Sequence, residues 1–220
     1  GEHPGRSRNP LIKVTDLAWL EFDKPDLARA EAFAHAFGFG TALRTDTELH
    51  LRGGDPDAPC VLIRRGPQTR FRGMAFAAAD DADLVRLADK TGSRVTALPE
   101  SIGGTGVQLT DPSGIPVRVV SGTHPLSPLP AQVPHTFNLG HDVERINATQ
   151  RPPRVPTTVQ RLGHVVVQST RYRAALDWYL DTLGLIVSDF LYFPGQRGRG
   201  PTMSFIRCDR GSIPTDHHTL

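Results

Sequence analysis

Apolar and polar positions along this chain fall into the same order three times. From Val14 to Phe22 the residues read as a strand. Pro25 and Asp26 then open a segment in which Leu27, Ala30, Phe33, Ala34 and Phe37 recur at helical spacing, stopped by Gly38 and Gly40. Three short strand-like runs follow, at 41–44, 48–52 and 60–64, with the turn sequence Gly53-Gly54-Asp55-Pro56 between them. The order β-α-β-β-β returns at Arg72. A strand runs to Ala78 and a helix from Ala82 to Lys90, with Leu84, Leu87 and Ala88 inward and Gly92 as its stop. Three strand-like runs then reach Val120, the last two joined by Asp111-Pro112-Ser113-Gly114. A third copy begins at Arg161. It predicts a strand to Gln168, a helix from Tyr172 to Leu183 with Ala175, Leu176, Tyr179 and Leu183 facing the core, and strands Leu185–Tyr192 and Met203–Cys208. One more strand starts near His217.

The first and third copies align without a gap. Leu17-Ala18-Trp19-Leu20-Glu21-Phe22 lies over Gly163-His164-Val165-Val166-Val167-Gln168, Phe33 over Tyr179, Phe37 over Leu183 and Gly38 over Gly184. Within this repeat, one copy carries a histidine where the other carries Ala18. The fold class predicted is α+β, built from tandem paired βαβββ modules. Two modules make an amino-terminal domain over 1–122. A proline-rich linker over 123–158, with one short helix near Asp142–Asn147, leads to a third module over 159–220. The chain stops just as a strand begins, so a fourth module of about 60 to 90 residues is expected beyond Leu220.

Composition narrows the chemistry. Twenty-five Lys and Arg against 23 Asp and Glu give a net charge of +2 with no basic cluster, which argues against nucleic acid. No apolar run is long enough to span a bilayer and no secretory signal opens the chain. Cys60 and Cys208 lie far apart outside any CxxC pattern and read as separate buried thiols of a reducing cytoplasm. In that compartment the sequon Asn147-Ala148-Thr149 carries no weight. Gly103-Gly104-Thr105-Gly106 lacks the Lys-Ser/Thr of a phosphate loop, and Gly195–Gly200 reads as a solvated hairpin or a lip over a substrate. Trp178 and Tyr179 read as core.

Four features together resemble the type I extradiol ring-cleavage dioxygenases of the vicinal oxygen chelate superfamily. These are the paired modules, the Asp111-Pro112-Ser113-Gly114 hairpin before Val117-Arg118-Val119, the segment Leu162-Gly163-His164-Val165-Val166, and Asp216-His217-His218-Thr219-Leu220. The resemblance implies an enzyme that opens a catecholic aromatic ring with O2 in aromatic catabolism, a Fe(II) cofactor with Mn(II) as the alternative, and a homo-oligomer. It makes His164 the first metal ligand and His218 the active-site acid/base. A second histidine ligand and a glutamate are expected beyond Leu220, so the 220 residues alone are expected to be inactive.

In the amino-terminal half, Ala18 and Arg118 stand where metal-binding relatives place a histidine and a glutamate. Neither side chain can hold a cation, so that half is expected to be a structural partner. His217 and His218 alternate along the predicted strand, so only one can face the site. His35, His50, His124, His135 and His141 read as solvated. Two other functions suit the same scaffold: a glyoxalase-type isomerase or lyase, and a non-catalytic protein that holds a small molecule between modules.

Overall fold

The computed structural model of the chain describes residues 3–130, 136–147 and 154–220. Module one comprises β1 (Asp16–Lys24), α1 (Leu27–Phe37), β2 (Gly40–Arg44), β3 (Glu48–Arg52) and β4 (Val61–Arg65). Module two comprises β5 (Arg70–Ala77), α2 (Asp81–Thr91), β6 (Val95–Ala97), β7 (Thr105–Thr110) and β8 (Pro116–Ser121). The third stretch gives α3 (Tyr172–Leu183), β9 (Leu185–Leu191) and β10 (Met203–Cys208), with a 3-10 turn at Arg197–Arg199. Asp26 and Asp80 cap α1 and α2 by accepting hydrogen bonds from the Arg29 and Asp83 amides, and all three helices end on a left-handed glycine.

β1 and β5 lie antiparallel at the centre of an eight-stranded sheet ordered β2-β3-β4-β1-β5-β8-β7-β6. Each has a parallel neighbour from its own module, β4 beside β1 and β8 beside β5, so the second half of the sheet mirrors the first. Alternation along the strands sorts the two faces. Met74 and Phe76 of β5, with Val117 and Val119 of β8, pack toward the helices, whereas Ala75 and Val120 join Trp19 and Ile102 in a separate cluster on the other face. In β1 the alternation is broken. Leu17 sits opposite Phe76 and Trp19 opposite Ala75, because the register shifts between them and Ala18 is the extra residue of a bulge.

α2 buries Leu84, Leu87 and Ala88 as its spacing predicts. α1 differs. Leu27 and Ala34 pack on Leu49, Leu51 and Ile63, but Phe33 and Phe37 stay 71% and 57% exposed. The small residues of the stripe let the helix sit close to the sheet, and the two rings lie beside that stripe. They stack on each other at 6.2 Å and Phe37 stacks on Phe39 at 5.8 Å.

The third stretch shares the largest core. Ala175, Leu176, Tyr179, Leu180 and Leu183 of α3, with Ile206 and Cys208 of β10, pack in one cluster with Phe76, Leu87, Val107 and Val119. The strands expected over 161–168 and near His217 are not regular strands. A single backbone bond, Val165 N to Thr219 O at 3.1 Å, joins the two segments, and one bond does not make a ladder.

The helix expected near 142–147 is also absent. Leu139 and Asp142 pair in a tight turn, and the Asn138 side-chain oxygen accepts from the amides of Glu144 and Arg145, competing with helical bonding. His135, Ala148 and Thr149 of the sequon, and the Pro152-Pro153 pair lie outside the described residues. From Arg154 the chain crosses module one, where Val159 N donates to Gly38 O and Gly54 N to Val159 O, both at 2.9 Å.

Candidate functional site

The last residues of the chain lie between β10 and the segment around Val165. Ile206 N donates to Leu220 O at 2.8 Å, and Thr219 N returns a bond to Ile206 O at 2.7 Å. Thr219 is buried with its hydroxyl 3.6 Å from the Cys208 sulfur. This pairing fixes the backbone on either side of His164 and His218 and brings their rings together, with centroids 4.2 Å apart.

Further side chains complete the cluster. Phe205 of β10 lies 5.0 Å from the His218 ring and 5.5 Å from that of His217. His217 Nδ1 stands 3.2 Å from His218 Nδ1. One nitrogen of this pair must be unprotonated to accept, so the two rings cannot both be imidazolium while the bond lasts. Asp216 pairs with Arg161, and the Ser188 hydroxyl donates to the His217 carbonyl. Residues 217–220 are not a regular strand, so the alternation expected of His217 and His218 is not found; the His217 ring lies against His218 and Phe205.

His164 is exposed and His218 half-buried. Desolvation pushes the His218 pKa down, and the neighbouring His164 and His217 push it the same way against Asp216. The neutral imidazole is therefore favoured at His218, the form that can accept a proton or a metal ion.

Imidazole suits Fe(II) and Mn(II) as a ligand. Among the described residues, no group of three His, Cys, Asp or Glu side chains that could hold a metal ion gathers here or elsewhere. The donor set around His164 thus does not by itself make a complete metal site among the described residues.

The start of the third stretch is anchored on the hairpin turn of module two. Asp111 accepts from the amides of Ser113 and Ile115 at 2.8 Å, and Tyr179 of α3 donates its hydroxyl to the other carboxylate oxygen at 3.1 Å. Arg171 donates to the Pro112 carbonyl at 2.9 Å, and the Ser113 and Ser169 hydroxyls meet at 2.5 Å. Burial and the adjacent Asp111 raise the Tyr179 pKa far above its ordinary value, so the phenol stays protonated and donating.

The remaining candidates are dispersed. Ala18 and Arg118 line different clefts. His35 bonds Thr41 at the surface, and His124 and His141 are exposed. His50 is not solvated as expected. It is only 5% exposed, in a strand buried from Leu49 to Arg52. The glycine-rich loop is exposed, and Arg197 sits 4.8 Å over the Tyr192 ring. No helix among the described residues is long and apolar enough to cross a membrane.

No family model matches the chain. Its sequence is 30% identical over 220 aligned residues to metapyrocatechase 2 of Cupriavidus necator, covering 96% of this chain and 62% of that protein. Its structure is similar to the Mn(II)-bound glyoxalase from Novosphingobium aromaticivorans, with a TM-score of 0.70, 21% identity, and coverage of 94% of this chain and 60% of that one. Homoprotocatechuate 2,3-dioxygenase from Arthrobacter globiformis matches 56% of this chain and 41% of its own, with a TM-score of 0.49 and 20% identity.

The architecture is thus the mixed α+β fold of that glyoxalase. The resemblance to the extradiol dioxygenases is supported by the sequence relative. The chain spans about three fifths of the length of the metapyrocatechase and of the glyoxalase.

Proposed function

We propose that this chain belongs to an extradiol dioxygenase that opens a catecholic ring with O2, with His164 as one ligand of a ferrous or manganous ion and His218 as the acid/base. The observation that carries this reading is the meeting of His164 and His218 at 4.2 Å in a chain related over nearly its whole length to metapyrocatechase 2. A bound divalent ion of this kind would supply a Lewis-acidic anchor for a catecholate and for dioxygen. His218, whose neutral form its surroundings favour, can take a proton from a substrate hydroxyl and return it as the ring opens. Phe205 supplies an apolar wall beside the His218 ring.

The same reading makes the enzyme a cytoplasmic homo-oligomer. It is supported by the two buried free thiols, Cys60 and Cys208, and by sheet edges at β2 and β6 that pair with no further strand among the described residues. The glyoxalase likeness, at 21% identity, speaks for the scaffold alone.

The test uses the full-length protein, loaded with Fe(II) or with Mn(II) and given a panel of catechols. Oxygen uptake with a yellow ring-fission product is expected. No uptake with any catechol under either metal overturns the reading. His164→Ala is expected to lose stoichiometric metal, and Ala18→His to restore none; full metal content in His164→Ala removes the ligand assignment. His218→Asn is expected to keep its metal and lose about 10²- to 10⁴-fold in kcat.

A further inference from the structure

β9 and β10 do not pair evenly. Phe205 lies opposite Asp189 and Ile206 opposite Val187, so Ser188 is the extra residue of a bulge, with no residue across from it on β10. A bulge of this kind re-aims a side chain. Here it sends a hydroxyl toward the segment that carries His217 and His218.

The direction of hydrogen bonding at that hydroxyl is set by its neighbours. Arg207 Nη1 lies 2.6 Å from Ser188 Oγ, and a guanidinium only donates, so Oγ accepts there. The His217 carbonyl only accepts, so the one hydroxyl proton goes to it. Two bonds thus run in one direction, from Arg207 through Ser188 to the peptide that joins His217 to His218. The same guanidinium nitrogen reaches the Val187 carbonyl at 3.3 Å and lies along the bulge.

Both ends of this relay are held. On the outer edge of β9, Val187 N donates to Gly5 O at 2.7 Å and Arg6 bridges to Ile186, so the amino-terminal segment backs the bulge. Beyond His218, the Thr219 amide is bound to Ile206 O. His218 is therefore flanked by two holds, one on the carbonyl before it and one on the amide after it. The second is main chain to main chain, whereas the first depends on a side chain. A peptide is planar, so fixing the His217 carbonyl also fixes the plane that contains the His218 nitrogen, and with it the direction in which the imidazole leaves the backbone.

We propose that Ser188 is a positioning residue for His218, aiming its ring at His164 through the His217 peptide, with Arg207 orienting the Ser188 hydroxyl. The inference rests on the reading of His218 as the acid/base. Ser188→Ala takes away the donor to the His217 carbonyl and leaves the bulge in place, whereas Ser188→Thr keeps a hydroxyl on a side chain that suits a strand.

The first measurement needs neither metal nor substrate. In full-length, metal-free protein with carbon-13-labelled histidine rings, a nuclear Overhauser contact is expected between His164 and His218, whose centroids are 4.2 Å apart. The two rings are assigned with His164→Ala and His218→Asn. The contact is expected to persist in Ser188→Thr and to be lost in Ser188→Ala, with the far-UV circular dichroism unchanged in both. In the metal-loaded enzyme, Ser188→Ala is expected to keep its metal content and its KM for the catechol that the parent turns over. Its kcat falls at least about tenfold, toward the roughly 10²-fold that a misplacement of about 1 Å can cost, and recovers in Ser188→Thr. If Ser188→Ala does not fold, Ser188→Cys, a weaker donor of similar size, is read in the same way. A ring contact retained in the folded variant, or a kcat equal to the parent's, overturns the proposal. A parent that turns over no catechol overturns the acid/base reading instead, while the ring contact still reports whether Ser188 holds His218.

Discussion

Tyr179 shows how one side chain can serve both stability and the site. Its hydroxyl is the only described donor to Asp111 Oδ2, and the other oxygen of that carboxylate holds the hairpin turn closed. Tyr179→Phe keeps the ring against Phe76 but strands a buried carboxylate oxygen, so a loss of about 1–2 kcal/mol is expected in urea unfolding. A loss below about 0.3 kcal/mol would mean that water replaces the phenol. Asp209 works through charge. Hydrogen bonds from Lys13 and Arg6 hold its pKa down at about 2 against an ordinary 3.8. A depressed carboxylate stabilises the fold fully above its unfolded pKa, and that stability drains away as pH falls from about 5 through about 2. Asp209→Asn is therefore expected to flatten the acid limb of the urea midpoint against pH over that window; an unchanged limb would refute the assignment.

At the scale of elements, the sequence pattern was most legible where period and punctuation agreed. α2 and α3 fall within a residue of their expected spans, β3 and β10 coincide with theirs, and both aspartate caps sit where Asp26 and Asp80 precede helical spacing. Phe33 and Phe37 misled because an apolar stripe says that a face is oily without saying what covers it. The equivalent α3 positions, Tyr179 and Leu183, are buried because that helix lies on module two. The strands around His164 and His218 were invisible as irregular segments, since alternation is a property of residues and a ladder is a property of neighbours. The His164 and His218 pair was visible as two separate motifs; their separation of 4.2 Å was not. His50 was read as solvated and is buried, because polar residues on a strand ordinarily meet water and period two along β3 does not say what covers the face it shares with Glu48.

Two glycines separate local from distant causes. A Cβ at Gly92 would meet nothing within 4 Å, so Gly92→Ala costs only its left-handed φ of 69°, about 1 kcal/mol. A Cβ at Gly53 would lie 2.0 Å from the Gln160 carbonyl oxygen of the crossing linker. Gly53→Ala is expected to cost more than Gly92→Ala in urea unfolding and to expose the 154–160 segment to protease. Equal costs would mean that the crossing is not held.

For the whole molecule, the decisive fact is that the largest core draws from residues as far apart as Ile12 and Cys208. A core shared between module two and α3 couples their stabilities. One cooperative transition is expected, with the fluorescence of Trp19 in the sheet, of Trp178 on α3, and the far-UV circular dichroism all coinciding. Separate transitions for the two tryptophans, read in Trp19→Phe and Trp178→Phe proteins, would show that the third stretch folds on its own.

The bulge at Ala18 acts on β1 as a shift of reading frame acts on a message. Upstream of it, Leu17 is spelled toward the helices; downstream, Trp19 is spelled toward the opposite face, beside Glu21. Run the strand regularly through that residue instead, and every later side chain changes sides, so that the tryptophan turns from its own cluster to the core under the helices and the glutamate follows it. The tryptophan sits in that cluster because one small residue was spent on being out of step.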